Sequence, residues 1–107
     1  MKRKAIGLAV VLSATAAGAA LAAPGPEAAC HALAEQTRQA LAMKKQGLPV
    51  DKAITALASQ PVPGTVPPEQ VAFYTERLPG AARFAYVAGM SGDDAAEYYV
   101  KQCRKGA

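Results

Sequence analysis

Tryptophan is absent from this chain, histidine occurs once, and aromatic side chains make up only 6% of its 107 residues. There is no Cys-x-x-Cys pair and no haem-attachment motif, so redox-pair and c-type haem chemistry lack their usual signatures. The single histidine, His31, could hold a soft metal beside Cys30 only with ligands brought from elsewhere, and Met43 and Met90 already have core or capping roles. Ser59 and Ser91 have no histidine at a spacing that would make a nucleophile–base pair. No stretch alternates apolar and polar residues for more than a few positions, which argues against strands, and no internal repeat is visible. Asp93, Asp94 and Glu97 are the only acidic cluster. They lack the spacing of a calcium loop and sit where the first turn of a helix favours acid.

Long apolar runs are also missing, with one exception at the start. Lys2, Arg3 and Lys4 precede an uncharged stretch, residues 5–20, and Ala20-Leu21-Ala22 then supplies a small-x-small pattern. This order of zones reads as a secretory signal peptide, residues 1–22, with cleavage after Ala22. Cleavage one residue later would place Pro24 behind the scissile bond, where its missing N–H is awkward for a protease. The stretch is rich in Ala and Gly and shorter than the roughly 20 strongly apolar residues of a membrane anchor. A single Arg disfavours a twin-arginine signal. Cys30, preceded by Glu27-Ala28-Ala29, is no lipoprotein cysteine.

Positive charge is scarce once that segment is set aside. The formal charge of +4 falls to about +1 in the mature chain, residues 23–107, because three of the twelve basic residues belong to the leader. Clustered positive charge is what binds nucleic acid or anionic lipid, so neither is expected as a partner, and no stable membrane insertion is expected after cleavage. Lys101, Arg104 and Lys105 form the densest basic group, at the end of a predicted helix whose dipole they complement.

What the chain does have is helical spacing and two cysteines. Cys30, Leu33, Ala34, Thr37, Ala40 and Leu41 form one stripe, with Glu35, Arg38, Gln39, Lys45 and Gln46 on the other face. Pro26 suits the first helical position, where its absent donor costs nothing. Gly47 is placed as a left-handed cap, with Leu48 folding back on Met43 and Pro49 blocking continuation. Asp51 is expected to cap a second helix whose inner face is Ile54, Leu57 and Ala58. Residues 60–68 hold four prolines and one glycine and read as a stiff loop turning at Pro63-Gly64. Pro67-Pro68 opens a third helix with Val71, Tyr74 and Leu78 inward. Pro79-Gly80 is expected to break or kink it before a segment carrying Phe84 and Val87 runs up to Gly89. Ser91 and the acids behind it cap a last helix with Ala96, Tyr99, Val100 and Cys103 inside, and with Glu97 and Lys101 as an outer i,i+4 pair.

The fold expected is all-α: a compact bundle of four to five short helices in a single domain. Both cysteines fall on apolar stripes, and in an oxidising compartment an even pair is most simply a disulfide. A Cys30–Cys103 bridge would close nearly the whole mature chain, worth roughly 4 kcal/mol on the chain-entropy account. Adjacent Tyr98 and Tyr99 cannot both face the core of one helix, so one is expected at the surface, where tyrosine favours protein interfaces. The expected function is a non-enzymatic protein-interaction module, periplasmic or secreted, with a protein as partner, no catalytic residues and no cofactor. The alternative is a small-ligand or metal-binding module using a crevice between helices.

Cys30, the Lys44-Lys45-Gln46-Gly47-Leu48-Pro49 helix ending, Ala85-Tyr86 ahead of Gly89, and Cys103 give the mature chain a diffuse resemblance to small exported two-cysteine helical proteins of proteobacteria. That resemblance covers most of the mature chain and implies no activity and no site residues. In size, helicity and single disulfide the chain also resembles acid-activated periplasmic chaperones, though its cysteine separation differs. A looser likeness links it to secreted immunity proteins of bacterial competition systems. Both are likenesses of architecture.

Overall fold

An apolar stripe at helical spacing must find a surface that buries it, and here the first helix supplies that surface for the others. The computed structural model describes residues 25–106, and among these it contains four α-helices and no strand. They are α1 (Glu27–Lys45), α2 (Val50–Ala58), α3 (Val71–Ala88), introduced by a 3-10 turn at Pro68–Gln70, and α4 (Gly92–Gly106). The expected all-α bundle closed by a Cys30–Cys103 disulfide is what forms. The signal segment and its cut after Ala22 lie outside the described residues.

α1 is central, with α3 along one side, α4 along another, and α2 packed across α3 and α1. Pairings at the helix ends fix the directions. Gln70 meets Ala29 and Lys44 meets Tyr86, so α3 runs parallel to α1. Cys103 meets Cys30 and Asp93 meets Arg38, so α4 runs antiparallel. A parallel α3 requires the chain to return to the start of α1, and this is the task of α2 and residues 59–67. Gln60 bonds to Gln39, and ten positions back along α1 Gln70 meets Ala29; that is a return of about 15 Å at the helical rise. The Val66 N–H donates to the Pro63 carbonyl at 3.0 Å to close a turn, and buried Val66 pins the loop to the core.

The core is built largely of small side chains. Ala29, Ala40, Ala53, Ala81, Ala82, Ala85 and Ala95 are fully enclosed, while Leu33 and Leu57 are the largest side chains buried to the same degree. Alanine lets helix axes approach closely but removes little apolar area from water per residue. The stripe expected for α1 is buried throughout, joined by Ala29, Ala32 and Gln36.

Local signals held at the C-terminal end of α1 and at the start of α4, whereas Pro26, expected at the first helical position, sits just ahead of it and the helix starts at Glu27. Gly47 has φ +87°, its N–H donates to the Lys44 carbonyl at 2.9 Å, and the Leu48 N–H reaches the Met43 carbonyl at 3.0 Å. This pairing satisfies carbonyls that the helix end would otherwise leave bare. At α4 the Asp94 N–H donates to Ser91 Oγ at 3.2 Å.

Five expectations are corrected. Pro79 does not break the third helix, which runs unbroken from Val71 to Ala88. An internal proline costs about 3 kcal/mol by removing a donor and crowding the carbonyl four residues back. That carbonyl belongs to exposed Thr75, where water can bond it, while Tyr74, Leu78, Ala81, Ala82 and Ala85 remain one buried stripe across the proline. Val87, expected inside, is 81% exposed because the stripe's phase continues through Pro79 and turns Ala85 inward instead. In α2 the buried alanine is Ala53, and Ala58 is exposed. Asp51 is not a cap: Pro49 holds that position, the helix starts at Val50, and Asp51 lies in the first turn. There its charge still suits the dipole. Finally, Glu97 and Lys101 form no ion pair among the described residues; the ion pairs of α4 run to α1, through Arg104–Glu27 and Asp93–Arg38.

Candidate interaction surface

Tyr98 and Tyr99 divide as two neighbours on one helix must. Tyr99 is half-buried against the core, and Tyr98 is 44% exposed. Both are held by Phe84 of α3. Its ring stacks on Tyr98 at 5.7 Å between centroids, inclined by 12°, and meets Tyr99 at 5.8 Å in a tilted arrangement. Offset and tilted aromatic pairs at such distances are favourable beyond the area they bury. α3 and α4 otherwise touch little, so this aromatic trio is the principal side-chain link between them.

The same end of the molecule collects exposed apolar groups. Val87, one turn beyond Phe84, Met90 in the turn between the helices, and Tyr98 are three of the four large apolar side chains left exposed among the described residues; the fourth, Val62, lies in the proline loop. Met90 and Tyr98 border a shallow cleft of about 330 Å³ with Asp94, Glu97 and Lys101 around it. Isolated apolar side chains on a surface need no explanation, but aromatic and Met side chains gathered with a charged rim match the composition of protein-binding patches. Gly89 makes the turn possible: with φ +66° it ends α3 in the left-handed conformation that glycine adopts without strain.

Farther up the α3–α4 side, Arg77 lies over the Phe73 ring at 4.4 Å from its centroid. Burial pushes the Tyr99 hydroxyl above its ordinary value while the Arg77 cation pulls the other way. Tyr74 is likewise raised by burial.

The charged residues weighed for chemistry gather elsewhere. His31 is exposed, with Nε2 3.1 Å from Glu27 Oε2, and the same carboxylate accepts from Arg104 at 2.8 Å. The Arg104 hydrogen bond is the largest cause holding the Glu27 carboxyl below its ordinary value, with His31 adding to it and desolvation opposing. Arg38 donates to Asp93 at 2.7 Å and approaches Glu35 at 3.7 Å. These groups flank an open groove of about 370 Å³ between α1 and α4, floored by Ala34, Ala96 and Val100. General acid–base work by paired carboxylates needs contrasting environments, one dry and one polar; Asp93, Asp94 and Glu97 are all exposed. Among the described residues no group of three or more His, Cys, Asp or Glu is arranged to hold a metal ion, and no helix is long and apolar enough to cross a membrane.

No protein-family model, curated protein or solved structure matches the chain.

Two features escape sequence reasoning. Phe84 meets the tyrosines only because α3 continues through Pro79, which sets the phase that brings it to α4. Gln36 is 4% exposed although glutamine is ordinarily a surface residue, and its Oε1 has no hydrogen-bond partner among the described residues. Its position four residues after Ala32 and three after Leu33, on the edge of the apolar stripe, was the available signal.

Proposed function

We propose that this chain is an exported, disulfide-bonded helical module that acts by binding a protein partner, not by catalysis, in the periplasm or outside the cell. The observation that supports it is the aromatic ledge at the α3–α4 end: Tyr98 exposed and stacked on Phe84, with Val87 and Met90 beside it. A rigid aromatic ring loses little entropy on binding and offers both an apolar face and a hydroxyl. The bridge supports the compartment, since disulfides persist where the surroundings oxidise, and the leader-like start supports export.

Crosslinking and pull-down from periplasmic extract should recover a stoichiometric partner. Tyr98→Ala should weaken that capture about tenfold, as truncation of an interface anchor does, with far-ultraviolet dichroism unchanged and melting lowered only by the loss of one aromatic stacking contact. Parallel loss of helicity and capture would make Tyr98 a structural residue. A second reading, small-ligand binding, is favoured by the crevice beneath the proline loop that Gln36 borders. A thermal-shift screen separates the two, because a site-bound ligand stabilises the fold by mass action.

A further inference from the structure

We infer that the groove between α1 and α4 is a contact for a second copy of this chain, the two grooves meeting face to face and running in opposite directions. The pairs Arg38–Asp93 and Glu27–Arg104 set the register of α4 on α1, and the Cys30–Cys103 bridge agrees with it. In that register Glu97 lies across the groove from Glu35, and one turn along Lys101 lies across from His31. All four border the groove, over a floor of Ala34, Ala96 and Val100. One rung thus carries two carboxylates, and the next an ammonium and an imidazole. Neither rung is balanced within the chain. Glu97 and Lys101 form no ion pair among the described residues, Glu35 has only a 3.7 Å contact with Arg38, and the His31 ring is turned to Glu27.

The order of the rungs decides the occupant. A twofold axis crossing the groove at right angles reverses its direction in the second copy, so that α1 meets α1 and α4 meets α4, each pair antiparallel. Reversal lays the acidic rung of each copy on the basic rung of the other, Glu97 against Lys101 and Glu35 against His31, twice over. Along α4, Asp94, Glu97, Lys101 and Arg104 follow one another at helical spacing, two acids and then two bases, a stripe complementary to itself when reversed. The helix dipole accounts for acid at the start of α4 and base at its end, but its influence fades beyond the terminal turns and leaves Glu97 and Lys101 unexplained. A net charge near +1 in the mature chain opposes self-association little. α4 is about 22 Å long and two helices side by side are about 20 Å wide. The contact therefore buries on the order of 900 Å² in total, the size of a weak and reversible association. Tyr98 and Met90 lie outside this groove, so self-pairing and the partner-binding ledge stand or fall separately.

Sedimentation equilibrium of the disulfide-bonded protein at low ionic strength, up to about 1 mM, should show monomer and dimer in exchange with a dissociation constant on the order of 0.1 mM. Glu97→Lys and Lys101→Glu each set like charges against one another in the paired grooves and should weaken the dimer at least tenfold. Both positions are exposed, so the fold is spared. When the two variants are mixed, each groove meets its complement, and a heterodimer should form at least as tightly as the wild-type dimer. Tyr98→Ala should leave the dimer unchanged. A chain that stays monomeric at the highest concentration overturns the proposal. So does a dimer that both charge variants keep, or a mixture of the two that recovers nothing.

Discussion

Along the α1–α4 seam the contacts are one covalent bridge, two exposed ion pairs, and Ala95 and Ala96 as the other buried residues of α4. Along the α1–α3 seam Tyr74 and Leu78 are buried with three alanines, and hydrogen bonds tie both ends. Gln70 Oε1 accepts the Ala29 N–H at 2.8 Å, filling the place of the side-chain cap that α1 lacks. At the other end Lys44 Nζ donates to the Tyr86 carbonyl at 2.8 Å, and the Tyr86 hydroxyl donates to the Leu48 carbonyl at 2.6 Å. The two seams are of similar extent, but one is held by larger buried side chains and capping, whereas the other packs alanines and carries a bond that a reductant can remove. α4 has few contacts with α3, so its packing on α1 carries nearly all that restrains it.

Removing the bridge should have the largest effect. A Cys30→Ser/Cys103→Ser chain loses the constraint on a loop of 73 residues, which the chain-entropy account puts at roughly 4 kcal/mol. For a domain this small that approaches its whole net stability. Where the variant remains folded, for example in a stabilising osmolyte, amide exchange followed by mass spectrometry should show α4 losing protection before α3. Simultaneous loss in both helices would mean that the seams are not separable, and the contrast would fail.

Smaller effects should follow from the caps of the other seam. Gln70→Ala leaves a first-turn N–H without its acceptor and should cost about 1 kcal/mol, typical of a lost N-terminal cap. Tyr86→Phe removes a half-buried hydrogen bond and should cost about as much. The two sites lie at opposite ends of α1, so the double variant should lose about the sum. Urea midpoints measure all three. A double variant that loses far more would show that α3 detaches from both ends at once, bringing its seam closer in character to that of α4.

What could be read from residue order follows the same division. Contacts governed by local chemistry were legible: the α1 stripe, the Gly47 ending, the Ser91 cap, and two cysteines on apolar faces. Features decided by tertiary burial were not. At Pro79 a local rule opposes continuation of the helix, and the buried stripe on either side of it overrides that rule. With the helix read as restarting, Phe84 and Val87 looked like the inward pair because they are large. The continued phase turns Ala82 and Ala85 inward, leaving Val87 in water and setting Phe84 between the helices. The candidate surface was therefore half legible: adjacency alone placed one of Tyr98 and Tyr99 outside, whereas Phe84, Val87 and Met90 join it only through the fold. Gln36 carried no chemical sign of burial beyond its position at the stripe's edge.

The smallest expected effect concerns acid, and it bears on the α1–α4 seam at the end where the bridge lies. Glu27 accepts from Arg104 at 2.8 Å and lies 3.1 Å from His31 Nε2, and its carboxyl is held below the ordinary 4.5, first by the Arg104 hydrogen bond. A carboxyl depressed in the folded state binds its proton more readily once unfolded. Its contribution is therefore complete above the ordinary carboxylate value and is lost as the pH falls through the lower, folded one. Melting temperature measured from neutral pH down to about pH 3 should show a modest acid decline that Glu27→Gln reduces. Screening weakens exposed pairs, so molar salt should shrink the difference between wild type and variant. The residual acid dependence of Glu27→Gln then reports on the remaining carboxylates, Asp93 at the other end of the seam included. If Glu27→Gln follows the wild-type curve throughout, the pair adds nothing measurable, and the disulfide, the Arg38–Asp93 pair and the packing of α4 on α1 hold that seam without it.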